Sequence, residues 1–365
     1  MMAKNKQAKR RGRRSRDPRI GILWLALIIY GGLLAYGAVV LTRHSPTQTG
    51  QFQAADVGSA AFSHSLDLRV AAKNAYPSSP LTEVKDLGVD DNLDHEIISF
   101  KVPDDGLTEY GLMVTPSTKA PVGGWPAIVL CHGYVKPSEY MTASDLLMDM
   151  TFYAQHGFAV IKPDYRGQGL SLHEGQADSA YYSMSYNTDV MSLISELKQT
   201  SYIDKSNLNL WGFSMGAYVA FRAAVLSPSI KNLIILSGPV DSLSQMYLSY
   251  IPPSDANNLN ALKTRNDVFA KYGTPAETDN FWKYASPINL VSRLKANVQI
   301  HVGALDQTVP PEFSADLDVA LTKAHINHQY FVYPDGTHAL VPQRPLIWSR
   351  SLQLLQSAPG SAAQA

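Results

Sequence analysis

Hydrophobic positions along this chain fall into three regimes. Ile20 to Leu41 is an unbroken run of 22 residues without a charge. His44 to roughly Asp94 is rich in Ser, Thr, Gln, Ala and Pro, the composition of a linker or stalk, with a short helical pattern near Ala60–Asn74. From about Ile97 onward, short apolar runs alternate with segments of helix length. Ile98–Val102 and Tyr110–Thr115, joined by the turn Pro103-Asp104-Asp105-Gly106, predict an antiparallel opening. The runs at 127–131, 158–161, 208–211, 233–236, 298–302 and 330–333 read as strands buried on both faces of a parallel sheet. Helical patterns at 143–155, 188–199, 217–226 and 313–324 separate them. Alternating strand and helix implies an α/β fold, a doubly wound and mostly parallel sheet with helices on both faces. The stretch 239–290 breaks the alternation and carries Met246, Tyr247, Tyr250, Phe281, Trp282 and Tyr284. It is either a lid or substrate wall beyond the strand ends, where ligands of open sheets sit, or an excursion that packs its aromatics into the core.

Charge changes the reading of the N-terminus. The chain is neutral overall, with 31 basic and 31 acidic residues. Nine of the basic residues and only Asp17 among the acids lie within residues 1–19, so the remainder is net negative. Such a remainder lacks the basic footprint that nucleic acid requires. The basic cluster directly precedes the apolar run, which as a helix is about 33 Å long, enough to cross a hydrocarbon core. The positive-inside rule then keeps residues 1–19 in the cytoplasm and sends the rest outside. Residues 20–41 are therefore expected to be a single-pass signal anchor in a lipid bilayer. A cleavable signal peptide is the rival, but the apolar run is longer than the usual 7–15 residues and no clean A-x-A site follows. The folded domain is expected from residue 95 to the end. One cysteine, Cys131, excludes an intrachain disulfide.

The candidate chemistry centres on Gly212-Phe213-Ser214-Met215-Gly216, which follows an apolar strand and opens a helical stretch. That is the context of a G-x-S-x-G nucleophile elbow, in which glycines permit a sharp strand-to-helix turn that presents the serine hydroxyl. A serine needs a base, and the base needs an orienting acid, here in the order Ser, acid, His. Asp306 lies in the loop after the 298–302 strand and His338 in the loop after the 330–333 strand, both at strand carboxyl ends. Asp335 shares the loop of His338 and reads as a turn former. His325 and His328 flank a helix–strand junction and read as surface residues. Cys131 and His132 end a buried strand and read as structural. Backbone N–H groups of Tyr134 and Met215 are the candidate oxyanion donors. No H-E-x-x-H or comparable spacing suggests a metal, and this chemistry requires no cofactor.

These features carry a family resemblance. The elbow, Asp105-Gly106-Leu107, Leu130-Cys131-His132-Gly133-Tyr134, the stretch from Pro163 to Ser171, Ser286-Pro287-Ile288-Asn289 and the Asp306 and His338 loops resemble the α/β-hydrolase superfamily. Within it, they resemble the catalytic domain of the prolyl oligopeptidase (S9) type and related bacterial esterases, over about three-quarters of the chain. The resemblance implies a triad of Ser214, Asp306 and His338, an oxyanion hole at Tyr134 and Met215, and a supporting loop in which Asp164 and Arg166 form an internal ion pair. It departs from the large family peptidases in having Met215-Gly216-Ala217 after the serine, where they place an aromatic and a second glycine. It also has a stalk too short for their β-propeller. Three functions follow as expectations: a small S9-like serine peptidase acting on short peptides or aminoacyl derivatives, a carboxylesterase, and a non-catalytic relative serving as a binding module.

Overall fold

A computed structural model describes residues 65–276 and 278–357. Among the described residues, nine strands form one sheet: β1 (Thr82–Asp90), β2 (Leu93–Val102), β3 (Leu107–Pro116), β4 (Trp125–Cys131), β5 (Ala159–Pro163), β6 (Ile203–Phe213), β7 (Ile230–Leu236), β8 (Asn297–Gly303) and β9 (His328–Tyr333). Their order is β1-β2-β3-β5-β4-β6-β7-β8-β9. The first three strands and the β3–β5 pair run antiparallel, and every pairing from β5 through β4 to β9 is parallel. The parallel strands bring all their carboxyl ends to one edge, which is where the sequence placed its candidate residues.

Helices cover both faces, and each core has a clear origin in the sequence. Helix Met215–Leu226 is buried at every position, because Ala, Val, Phe and small residues surround it on all sides. It packs with helix Ser185–Leu197 in the larger core cluster on one face. Helices Leu147–Gln155 and Arg344–Gln356 cover the other face, with Trp211, Tyr153, Ile347 and Leu355 between them and the sheet. The C-terminal helix Arg344–Gln356 is not evident from the hydrophobic pattern.

Two expectations are corrected here. The folded domain begins before residue 95, because Leu66, Leu68, Ala71 and Tyr76 are buried in the main core and β1 lies wholly within the stretch read as linker. The helix Leu68–Ala71, a single turn capped by Asp67, falls within the helical pattern read near 60–74, but one turn does not mark it as part of the core, and β1 is exposed along its length, so it leaves no periodic signature. Asp164 and Arg166 do not pair with each other. The Arg166 guanidinium lies between Asp189 and Asp105, bonding Asp105 at 2.7 Å. Asp164 instead accepts from Thr142 Oγ1 at 2.6 Å and Tyr140 OH at 3.1 Å.

Among its described residues, the insertion at 239–290 forms four α-helices, Leu243–Ser249, Pro253–Ala256, Leu259–Tyr272 and Asp279–Ala285, before the 3₁₀ helix Pro287–Arg293. Tyr250, Phe269, Tyr272 and Phe281 are half-buried against the main core. Trp282 is fully buried and stands 5.4 Å from Phe269, while Tyr272 and Phe281 stack at 3.9 Å. Tyr250 stands edge-on to Phe313, at the start of helix Glu312–Lys323. Side chains fasten the insertion to the loop before helix Ser185–Leu197. Ser179 donates to Asp255, Thr264 donates to Asp178, and Asn260 donates to the Ala177 carbonyl. The expected apolar anchor at 20–41 and the basic tail at 1–19 lie outside the described residues. Among those described, no helix is long and apolar enough to cross a membrane.

Candidate active site

The site is built where β6 ends. Gly212 and Gly216 bracket the turn because no larger residue fits. A Cβ on Gly212 would stand 2.5 Å from the Gly216 carbonyl oxygen, and one on Gly216 would run into the Cys131 and His132 backbone. Between them Ser214 takes φ 53° and ψ −124°, a sparsely populated conformation that costs roughly 1–3 kcal/mol. The surrounding chain holds it there, since the Ser214 N–H donates to the Leu236 carbonyl at 2.9 Å and Ala217 N–H donates to the Ser214 carbonyl.

The other two residues arrive on the loops that follow β8 and β9. Those loops are fastened to one another, with Ala304 N–H donating to the Tyr333 carbonyl and Leu305 N–H to the Gly336 carbonyl, both at 2.9 Å. Asp306 and His338 are thereby brought together. His338 Nδ1 lies 2.8 Å from Asp306 Oδ2, and its Nε2 lies 2.9 Å from Ser214 Oγ. The Asp306 carboxylate is fully buried and its other oxygen accepts from the Thr308 and Val309 N–H groups at 2.8 and 2.9 Å. These donors fix the carboxylate as an acceptor, so the ring proton of a neutral His338 belongs on Nδ1 and the Nε2 lone pair faces the serine hydroxyl. The three side chains form one hydrogen-bonded line that can move a proton off Ser214.

Of the remaining expected residues, Met215 is the first residue of helix Met215–Leu226, so its N–H belongs to the unsatisfied first turn. Tyr134 follows Gly133, whose Cα lies against the elbow: a Cβ there would be 3.3 Å from Ser214 Cβ. Cys131 is buried, and burial pushes its thiol up to about 12, so it remains a thiol. Asp335 accepts from the Gln343 side chain and takes no part in the line of three. His328 faces Asp318 at 3.0 Å, away from the site.

A supporting layer is less visible in the sequence. The Arg344 guanidinium pairs with Asp149 at 2.7 Å and donates to the carbonyl of Ala339, the residue after His338. Arg344 thus braces the histidine loop from the C-terminal helix, a role that no local motif announces. Lys162, fully buried, donates to Tyr140 OH and the Thr142 carbonyl, and desolvation lowers its pKa to about 8. Burial also holds Glu109, beside Arg166 and Asp189, well above the usual carboxylate range.

Comparison with known proteins gives the family. The profile of the prolyl oligopeptidase family matches residues 145–353, more than half of the chain and the part that carries Ser214, Asp306 and His338. The chain is 24% identical over 238 residues to the uncharacterized peptidase YtmA of Bacillus subtilis (strain 168), covering 65% of this chain and 84% of that protein. It is 23% identical over 241 residues to the acylamino-acid-releasing enzyme of Homo sapiens, covering 64% of this chain but only 31% of that enzyme. Among solved structures, the acetyl xylan esterase from Paenibacillus sp. R4 superposes with a TM-score of 0.57 at 18% identity, over 79% of this chain and 90% of the esterase. With these matches and the α/β-hydrolase sheet, the chain belongs to the prolyl oligopeptidase family and is a serine hydrolase, of the peptidase or esterase kind.

Proposed function

We propose that Ser214, His338 and Asp306 are the catalytic triad of an S9-like serine peptidase that cleaves short peptides or aminoacyl derivatives. The observation that carries this reading is the line Asp306 Oδ2 to His338 Nδ1 to Ser214 Oγ, with contacts of 2.8 and 2.9 Å. His338 Nε2 takes the Ser214 proton as Oγ attacks the scissile carbonyl, and the Tyr134 and Met215 N–H groups receive the oxyanion. Collapse expels the leaving group, which takes the proton from His338, and an acyl-Ser214 ester remains. Water, deprotonated by His338, then attacks that ester and restores the serine. Asp306 holds the ring in the tautomer that both halves need. Residues 20–41 anchor the enzyme in a bilayer, with residues 1–19 in the cytoplasm and the catalytic domain on the other side. The charge asymmetry of the sequence supports this orientation.

Esterase activity is the second reading, favoured by Met215-Gly216-Ala217 after the serine. The two differ in the leaving group, since an alkoxide departs without the protonation an amine needs. The full chain should be assayed on an ester and an anilide that share one acyl group. The peptidase reading predicts turnover of both. Cleavage of the ester with no detectable anilide hydrolysis would replace it with the esterase reading.

A further inference from the structure

His132 follows β4 and is 1% exposed, and both ring nitrogens face backbone carbonyls rather than Ser214 or His338. Its Nδ1 lies 2.7 Å from the carbonyl oxygen of the next residue, Gly133, and its Nε2 lies 3.0 Å from the Asp164 carbonyl oxygen. The ring is clamped between Tyr140 and Tyr165, with centroids 4.4 Å away on each side and near-parallel planes. Tyr140 is itself tied to Lys162 and Asp164. A residue invested with this much order, whose short contact is to the backbone next to the nucleophile, is holding that backbone.

We propose that His132 is a positioning residue for the oxyanion hole: its Nδ1–H holds the Gly133 carbonyl and thereby aims the Tyr134 N–H at the substrate oxygen. The inference rests on the oxyanion reading given above and adds the group that orients one of its two donors. The physical link is the planar peptide. Gly133 C=O and Tyr134 N–H belong to one rigid trans unit and point in opposite directions, so fixing the first fixes the second. Gly133 lies against the elbow, where a Cβ would stand 3.1 Å from Phe213 Cδ1 and 3.3 Å from Ser214 Cβ, so this peptide sits beside the nucleophile. A backbone N–H has no way of reorienting to a developing charge except by rotating its peptide. Preorganising that plane is what makes such a donor effective.

The ring has one proton to place. Two carbonyls face it, and together they favour the imidazolium, but desolvation and then the Lys162 charge outweigh them and lower the pKa to about 3. Neutral His132 can donate from one nitrogen only. On this inference the proton sits on Nδ1, whose contact with the Gly133 carbonyl is the shorter of the two.

The side chains of Asn and Gln separate the two tautomers. The Asn amide nitrogen reaches about where Nδ1 sits, the Gln amide nitrogen about where Nε2 sits. His132→Asn, His132→Gln and His132→Phe are compared in the full chain by kcat and KM on an ester substrate, by inhibition with a trifluoromethyl ketone of the same acyl group, and by thermal melting. Losing an oxyanion donor lowers kcat by about 10²–10³-fold. The inference predicts a loss approaching that size for Gln and Phe, little change in KM, and a matching loss of affinity for the ketone, whose tetrahedral adduct needs the same donor. Asn is expected to recover kcat to within about tenfold of wild type. Phe fills the space between the two tyrosines, so a folded but slow His132→Phe enzyme guards against misreading an unfolded Asn variant. Retention of kcat by Gln or Phe, or a loss confined to KM or melting temperature, would overturn the role. If the wild type turns over and Ser214→Ala does not, such an outcome removes the His132 inference and leaves the triad reading intact.

Discussion

Ser214→Ala is expected to lower kcat by about 10⁴–10⁶-fold, the range seen when a serine nucleophile of a triad is removed. The size follows from what is lost. Without Oγ there is no acyl-enzyme, and His338 has no proton to take, so only binding and the oxyanion donors remain. The fold should be unaffected, because the half-buried Ser214 side chain has His338 as its side-chain partner and the elbow is held by backbone bonds to Leu236 and Ala217. Ester turnover measured beside a melting curve checks both halves. A variant that melts normally and keeps more than about a thousandth of the activity would mean that another group carries the chemistry.

Asp306→Asn is expected to cost about 10⁴-fold in kcat, although it changes one oxygen to an amide nitrogen. The carboxylate accepts three hydrogen bonds, from Thr308 N–H, Val309 N–H and His338 Nδ1. An asparagine must keep its oxygen on the two backbone donors, which turns its NH₂ toward His338. The amide then donates to Nδ1, and the ring proton moves to Nε2. That puts a donor where the base is needed, opposite Ser214 Oγ. The change should leave substrate affinity almost intact, so the loss appears in kcat with KM within a few-fold. An equal fall in binding would point instead to a collapsed loop between β8 and β9.

Much of this site was legible in the sequence, for a reason that can be stated locally. The elbow announces itself because its G-x-S-x-G pattern sits between an apolar strand run and a helical stretch, although only Gly212 is demanded by a neighbour in sequence, Gly216, while Gly216 is demanded by the Cys131 and His132 backbone. Asp306 and His338 follow from topology alone, since the loops after parallel strands must emerge at one edge. What sequence could not supply were contacts set by three-dimensional neighbourhood. Arg166 lies two residues from Asp164 but pairs with Asp189, 23 positions away, because Tyr140 and Thr142 already occupy Asp164. Arg344 reaches Asp149 across 195 positions of chain. In the segment 65–94 the short helix is legible, but β1 is not, because a strand exposed along its length has no hydrophobic period to read, and the segment therefore reads as a linker. In the insertion at 239–290, Phe269 and Trp282 pack together with Trp282 fully buried, and Tyr250 stands edge-on to Phe313.

The most direct test of the account is covalent labelling of the full chain with a fluorophosphonate, followed by mass mapping of the adduct. Such a probe reacts with a serine only when a base activates its hydroxyl. The account predicts one adduct, on the peptide that contains Ser214, and none in Ser214→Ala. An unlabelled wild type that still hydrolyses its ester, or an adduct on another residue that persists in Ser214→Ala, would contradict it.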